Sequence, residues 1–420
     1  MYRRINMNDN TVYIIESNSA GNGISTIINA KKKGYRTHFL TNMPSKYENM
    51  EPNPLKISDQ VTMIDTMDII QLLRFFEDKK PAAIMTFDDF HIIPTSVVSN
   101  SVGVISPPVK GLVNVRFKDK TREKTQGIGY PTRFEAINTD SLPLSSPIGY
   151  PCIVKPIDES GSVGVKLCLN DTDFIEATQK IKEFYTNITG YKYIKRLLVE
   201  EYIKGDEYSA EVCWDIKEKK WKFIGITKKI VSNPPYFIET GHIYPYRFEK
   251  KTFLNIKEIV RKWLEAVELS ECFAHIEFKI VNNQLALIEI NPRPAGGYIN
   301  KLVGLVSESD LTKHYLDLSL NQPLDIKDNA GNLVAGIKFI LPPQIGDLLS
   351  IEEQEIPAWI TEYKITSKLK NIKSITSGDD RLGYIISVAD SAEELISRNQ
   401  SFIDKLHFKY RRQGEECVKN

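Results

Sequence analysis

The stretch LALIEINPRPAGG, Leu285 to Gly297, decides the reading of this chain. An apolar strand runs into Glu289, Asn291 and Arg293, then stops at two prolines and a Gly-Gly pair. Side chains alternate along a strand, so Leu287, Glu289 and Asn291 share one face. Just upstream, CFAHIEFKIVNNQ reads as a partner strand with Phe273, His275 and Glu277 on one face. A three-residue hairpin loop, Asn282 to Gln284, would set Val281 against Leu285 and Glu277 against Glu289. Opposed Cβ atoms lie about 4.5–5.5 Å apart. Two facing carboxylates repel unless they share a proton or a cation. Oxygen donors alone, with Asn291 one pleat along, suit Mg2+ or Mn2+ rather than zinc. The bland alternative is a solvent-facing polar edge, but acid, amide and arginine recur at period two. Arg293, held between Pro292 and Pro294, suits a phosphoryl group or a carboxylate beside such a cation.

Working outward, 420 residues are too many for one hydrophobic core, so several domains are expected. The chain has 55 basic and 54 acidic residues, a formal charge of +1. That balance offers no electrostatic footprint for nucleic acid or for an anionic membrane. No apolar run approaches the ~20 residues of a membrane span. The start, MYRRINMNDN, lacks the apolar core of a secretory leader. Five scattered cysteines make neither a disulfide framework nor a zinc site. A cytoplasmic location is expected.

The first third alternates strands (TVYIIES, YRTHFLT, PAAIMTF) with helices, which implies a doubly wound parallel sheet. Gly21-Asn22-Gly23 after the first strand lacks the third glycine of a dinucleotide fingerprint, since Thr26 stands there. A tight strand-to-helix turn is the reading kept. Lys31 to Lys33 read as a solvated helix end. From Val115 the pattern shifts to one charged helix, a strand–loop–strand unit, and an amphipathic helix with Phe174, Ile175, Ala177, Ile181, Phe184 and Tyr185 as its apolar set. The expected division is 1–115, an N-terminal α/β domain; 116–195, a small lobe; 196–325, a large lobe with the metal site; and 326–420, a small α+β subdomain.

DESGSVGV, Asp158 to Val165, joins two strands without the G-K-[ST] ending or following helix of a P-loop. Its small residues (Ser160, Gly161, Ser162, Gly164) let backbone N–H groups approach phosphate oxygens. Lys155, inside the preceding apolar strand, needs an anionic partner if buried. Lys118 is a second candidate, with Lys120 competing.

Together these pieces resemble the ATP-grasp superfamily of carboxylate–amine ligases, and within it the L-amino acid ligases (dipeptide synthetases, bacilysin-synthetase-like). EINPRPAGG and KPIDESGSVGV carry the superfamily likeness, and ETGHIYP the subgroup likeness. The resemblance implies an ATP-grasp fold, ATP and Mg2+ (or Mn2+) as cofactors, and amino acids as small-molecule substrates; a homodimer is expected only as the usual default for a soluble enzyme. It implies Lys118 and Lys155 as phosphate lysines, Lys228 as a weaker one, and Ser160, Gly161, Ser162, Val163 and Gly164 as a loop over the phosphates. Glu200 with the backbone of Glu201, Tyr202 and Ile203 would hold adenine, and Glu207 the ribose. Glu277, Glu289 and Asn291 would be metal ligands, Arg293 the phosphate-side arginine, and Glu239 and His242 the amino-acid-binding acid and histidine. The implied reaction joins two L-amino acids through an acyl phosphate, releasing ADP and phosphate. Alternatives are an ATP-grasp ligase activating bicarbonate or another small carboxylate, or a nucleotide-binding regulator without activity.

Overall fold

The computed structural model describes residues 10–18, 21–187, 189–234, 236–307, 309–326, 331–352, 354–365 and 371–411. The opening run MYRRINMND and Cys417 lie outside the described residues. The first unit is a four-stranded parallel sheet in the order Gln60–Met63, Arg36–Thr41, Thr11–Ile15, Ala83–Met85. Thr11–Ile15 is buried throughout, as expected of a parallel strand covered on both faces. The helix Asn22–Lys32 starts after Gly21 at φ 82° and ends before Gly34 at φ 83°. Two of the three terminal lysines are paired, Lys31 with Asp59 and Lys33 with Asp317.

The single charged helix expected from Arg116 is two helices, Val109–Arg116 and Lys118–Thr125. Phe117 between them is extended (φ −98°, ψ 111°). The break has a consequence: Lys118 opens the second helix, and its backbone N–H donates to Ile157 O at 2.9 Å. The lysine is thereby anchored beside the strand that carries Lys155.

The small lobe is an antiparallel sheet ordered Phe134–Asn138, Arg196–Glu201, Cys152–Pro156, Lys166–Cys168. Phe174, Ala177 and Ile181 of the helix Asp171–Lys182 pack onto Val154 and Val199. That helix stops before Phe184 and Tyr185, which the apolar spacing had included; Tyr185 is 72% exposed.

The large sheet has eight strands, ordered Gln284–Asn291, Phe273–Val281, Glu207–Asp215, Lys220–Val231, Glu239–Tyr244, Val334–Ile340, Gly383–Ala389, Ile360–Ile365. Trp263, Leu264 and Val260 of the helix Lys250–Ala266 form a core with Ala274, Ile276, Phe278, Leu285 and Leu287. The last three strands come from residues 326–420, and the same segment also forms a separate three-stranded sheet ordered Asn371–Ile372, Gly346–Ile351, Phe408–Tyr410.

The decisive hairpin differs from expectation in route but not in outcome. Its turn is two residues, Asn282 and Asn283, both at positive φ (48° and 62°), with Val281 opposite Gln284. A bulge between Glu277 and Phe278 then takes up one extra residue, Ile288. The shorter loop and the bulge cancel, and Glu277 faces Glu289.

Candidate active site

The small lobe and the large sheet enclose a cleft. Most of the sequence-derived candidates line it: Lys118, Lys155, Ser160, Ser162, Val163, Glu200, Glu201, Tyr202, Ile203, Glu207, Glu239, Glu277 and Glu289. Gly161 faces an adjoining wider cleft that shares the glycine loop and Glu239. Gly161, Ser162 and Gly164 all have positive φ (66°, 62° and 75°), so this loop needs its small residues.

Lys118, not Lys120, reaches the cleft. Lys118 Nζ lies 2.9 Å from Glu289 Oε1, whereas Lys120 pairs with Glu123 at the surface. Lys155 is buried, and its anionic partner is Glu200, at 2.6 Å. Arg122 Nε stands 2.6 Å from the other Glu200 oxygen. The Glu200 carboxylate is therefore engaged by two cations rather than presented to a base, and its place is to hold Lys155. Burial alone would raise its proton affinity; Arg122 and Lys155 outweigh this and hold it below the usual carboxylate range. A lowered folded-state value means that the Glu200 contribution to stability is full above about pH 4.5 and is lost as pH falls from there through the lower folded-state value. Glu200→Gln is expected to melt below wild type at pH 7, with the gap closing on acidification; a pH series of thermal melts checks this.

At the hinge, Glu201 is tied to Arg133 through N–H and Nε (3.0 and 3.1 Å). Ile203 O accepts from Lys279 Nζ at 3.2 Å. Lys279 also stands over the rings of Tyr202 and Phe237. No motif marks it, although the face of His275 and Glu277 continues to it at period two.

The acids on the large sheet share one cation. Lys229 Nζ lies 2.9 Å from Glu207, 2.8 Å from Glu239 and 2.7 Å from Glu277, and its side chain is 2% exposed. Lys228, the lysine expected to serve phosphate, points the other way and pairs with Asp206. Strand alternation separates the two neighbours, and the face of Thr227, Lys229 and Val231 is the inner one. Glu277 is further bound by His275 Nε2 at 3.0 Å, and His275 Nδ1 reaches Glu211 at 2.9 Å. Burial would lower the His275 value, but Glu211 and Glu277 push it up to about 9. Burial opposes ionisation of Glu277 too, yet Lys229 and His275 hold it down at about 2. Both are charged at neutral pH, as parts of one buried chain of alternating sign.

Among the described residues, no group of three or more His, Cys, Asp or Glu side chains is arranged to hold a metal. The candidate set here is two acids and an amide. Glu277 and Glu289 face each other in register, and Asn291 is paired with His275 one step further. Each acid already carries a cationic partner, Lys229 or Lys118. All-oxygen donors opposed across a hairpin fit a hard divalent cation.

Glu239 and His242 adjoin each other, with Nε2 to Oε2 at 3.5 Å. Neither ring nitrogen of buried His242 has a hydrogen-bond partner. A Cβ at Gly297 would sit 2.6 Å from His242 Nε2, so the second glycine of the opening motif lets the backbone pack against the imidazole. Against burial, Lys229, His242 and Arg381 hold the Glu239 carboxyl well below the usual range. Arg381, from the C-terminal segment, donates through Nη2 to Glu239 O at 2.8 Å and stacks on Phe339. Sequence gave no sign of it.

Arg293 departs most from expectation. Its Nε and Nη2 fork onto Asp89 at 2.5 and 2.6 Å, and Nη1 donates to Pro294 O at 3.1 Å. The guanidinium thus clamps the N-terminal domain to the end of the metal-candidate strand.

A family model for the ATP-grasp domain matches residues 148–301. The chain carries an ATP-grasp domain. The match spans the Lys155 strand, the glycine loop, the hinge and the hairpin acids. Alanine–anticapsin ligase of Bacillus subtilis is 26% identical over 280 residues, covering 61% of this chain and 58% of that protein. An uncharacterized protein of Sinorhizobium fredii is 27% identical over 273 residues, covering 62% and 54%. The chain thus spans little more than half the length of these curated relatives. Among solved structures, the L-amino acid ligase from Bacillus licheniformis superposes with TM-score 0.76 at 18% identity, covering 97% of this chain and 100% of that one. Phosphoribosylglycinamide synthetase from Anaerococcus prevotii gives TM-score 0.68 at 14% identity, covering 96% and 99%. The fold shared with these two structures extends over nearly the whole chain, the N-terminal parallel sheet included. No helix among the described residues is long and apolar enough to cross a membrane.

Proposed function

We propose that this ATP-grasp protein is an ATP-dependent carboxylate–amine ligase that joins two L-amino acids. The observation that carries the reading is the meeting of two sites at Glu239. This acid lines the nucleotide cleft, touches Lys229 and His242, and also faces the wider cleft. An amino acid with its ammonium at Glu239 would have its carboxylate within the reach of the phosphate end of the cleft.

Chemically, a carboxylate oxygen of the first substrate attacks the γ-phosphorus of ATP, and ADP leaves. The amine of the second substrate then attacks the acyl carbon, phosphate leaves, and the nitrogen gives up a proton. The protein supplies positioning and charge neutralisation. Lys118 and Lys155 flank the phosphates, and the loop from Ser160 to Gly164 covers them and excludes water, which would hydrolyse an acyl phosphate. Tyr202, Ile203, Phe237 and Lys279 form the base end. Glu239 is held ionised, which suits an ammonium ligand rather than a proton acceptor. His242, whose ring nitrogens make no hydrogen bond although Nε2 stands 3.5 Å from Glu239 Oε2, is the better candidate to take the proton. A divalent cation held by Glu277, Glu289 and Asn291 would neutralise phosphate charge.

Bicarbonate has no ammonium group for Glu239 to hold, so the position of this acid favours an amino acid substrate. A screen of amino acids singly and in pairs with ATP and Mg2+, read by ADP release and product mass, tests the proposal. Pair-dependent ADP and a product of condensed mass support it; ADP formation that needs bicarbonate and no amino acid contradicts it. In the same assay Glu289→Gln is expected to lower ADP release by about a hundredfold or more, in the range of losing one electrostatic stabiliser. Unchanged turnover would remove the hairpin acids from the account.

A further inference from the structure

The wider cleft has a wall that the nucleotide chemistry leaves unused, and it belongs to the N-terminal domain. Lys46 and Asp88 line it, in the same cleft as Glu239 and the glycine loop. Lys46 Nζ lies 2.9 Å from Asp88 Oδ2, with side chains 20% and 11% exposed. Both follow strands of the parallel sheet, Lys46 after Arg36–Thr41 and Asp88 after Ala83–Met85. Open α/β sheets present ligands at the carboxyl ends of their strands.

The pair is backed by a buried polar network. His91 Nδ1 is 2.8 Å from Asp88 Oδ1, and its Nε2 is 3.0 Å from Thr66 Oγ1. Thr66 donates to Glu16 Oε1, which also accepts from Asn42 N at 2.8 Å, while Tyr47 OH donates to Glu16 Oε2. An ordinary surface ion pair contributes little and has no such support. The residue after Asp88 is Asp89, which holds Arg293. One short turn therefore faces the open cleft with one acid and grips the arginine of the opening motif with the next.

We propose that Lys46 and Asp88 form the subsite for the second, amine-donating substrate, and that this substrate is a free α-amino acid. Resting on the ligase reading above, the assignment gives Lys46 the acceptor's carboxylate and Asp88 its amino group. An α-amino acid carries both groups a few bonds apart, and an adjacent lysine and aspartate offer the complementary charges. Entry of the acceptor exchanges one ion pair for two charge-assisted contacts.

Lys46→Met is expected to raise the acceptor KM by about tenfold or more, the loss of one charge-assisted contact, with the KM values of ATP and the first substrate near wild type. Wild type should prefer an acceptor with a free carboxylate over its amide; Lys46→Met should lose that preference, and Lys46→Arg should recover part of it. Hydroxylamine in place of the acceptor captures an acyl phosphate as a hydroxamate without needing the subsite. Hydroxamate from wild type, with acceptor KM and acid-over-amide preference unchanged in Lys46→Met, overturns the subsite and leaves the ligase reading standing. A Lys46→Met variant that loses hydroxamate formation and melts lower also counts against the subsite, since the lysine would then serve the fold. No amino-acid-dependent hydroxamate from wild type overturns the ligase reading, and the subsite with it.

Discussion

Arg293→Ala is expected to bring ADP release below about one hundredth of wild type, the loss seen when a preorganised electrostatic group is removed, and to lower thermal stability as well. The sequence alone suggests an arginine aimed at a phosphoryl group. The fork onto Asp89 changes that expectation. Removing the guanidinium leaves a largely buried carboxylate alone between two domains, a cost on the order of 3 kcal/mol. The two effects separate in a double variant. Arg293→Ala with Asp89→Ala has no orphaned acid and is expected to regain most of the melting temperature but none of the turnover. A single variant that melts like wild type would contradict the clamp. A double variant that regains turnover would deprive Arg293 of any part in the chemistry.

Lys229→Met is expected to be the most damaging change in the large lobe. One ammonium, fully enclosed, answers three carboxylates within 2.9 Å. Those carboxylates raise its value well above that of an ordinary lysine, although burial opposes them. Without it Glu207, Glu239 and Glu277 repel one another in a site poor in water, and a loss of roughly 3–5 kcal/mol follows from an uncompensated buried charge. Lowering the pH should narrow the deficit as the acids take up protons, and added Mg2+ should narrow it by supplying positive charge at Glu277. Circular dichroism melts with and without Mg2+, at two pH values, measure both. A variant as stable as wild type at pH 7 would mean that the acids are not charged together.

The parts of the site that could be read from sequence are those that a short-range pattern encodes. Glu277 and Glu289 emerge from strand alternation, and the register survived because a bulge at Ile288 offset a turn one residue shorter than expected. Lys155 emerges from a lysine in an apolar strand, whereas Lys118 is singled out by the family resemblance, and the helix start that places it is not legible locally. Long-range pairing is what local pattern lacks. Nothing near Arg293 announces Asp89, 204 positions away. Nothing near Glu239 announces Arg381, 142 positions away. The same holds for Glu200, which looks like a hinge acid until Arg122 and Lys155 close on it. Lys228 and Lys229 show the narrower difficulty, that two adjacent lysines have opposite fates and only strand parity divides them. The C-terminal segment reads as α+β, but the membership of its strands in the large sheet depends on pairing with Glu239–Tyr244, which no local signal carries.

The most direct measurement follows an oxygen atom. With the first amino acid labelled with 18O in its carboxylate, turnover through an acyl phosphate must carry one label into inorganic phosphate, because that oxygen bridges carbon and phosphorus before the amine displaces it. Labelled phosphate is expected in step with dipeptide and ADP. Phosphate released without label, or ADP formed whether or not an amino acid is present, would contradict it.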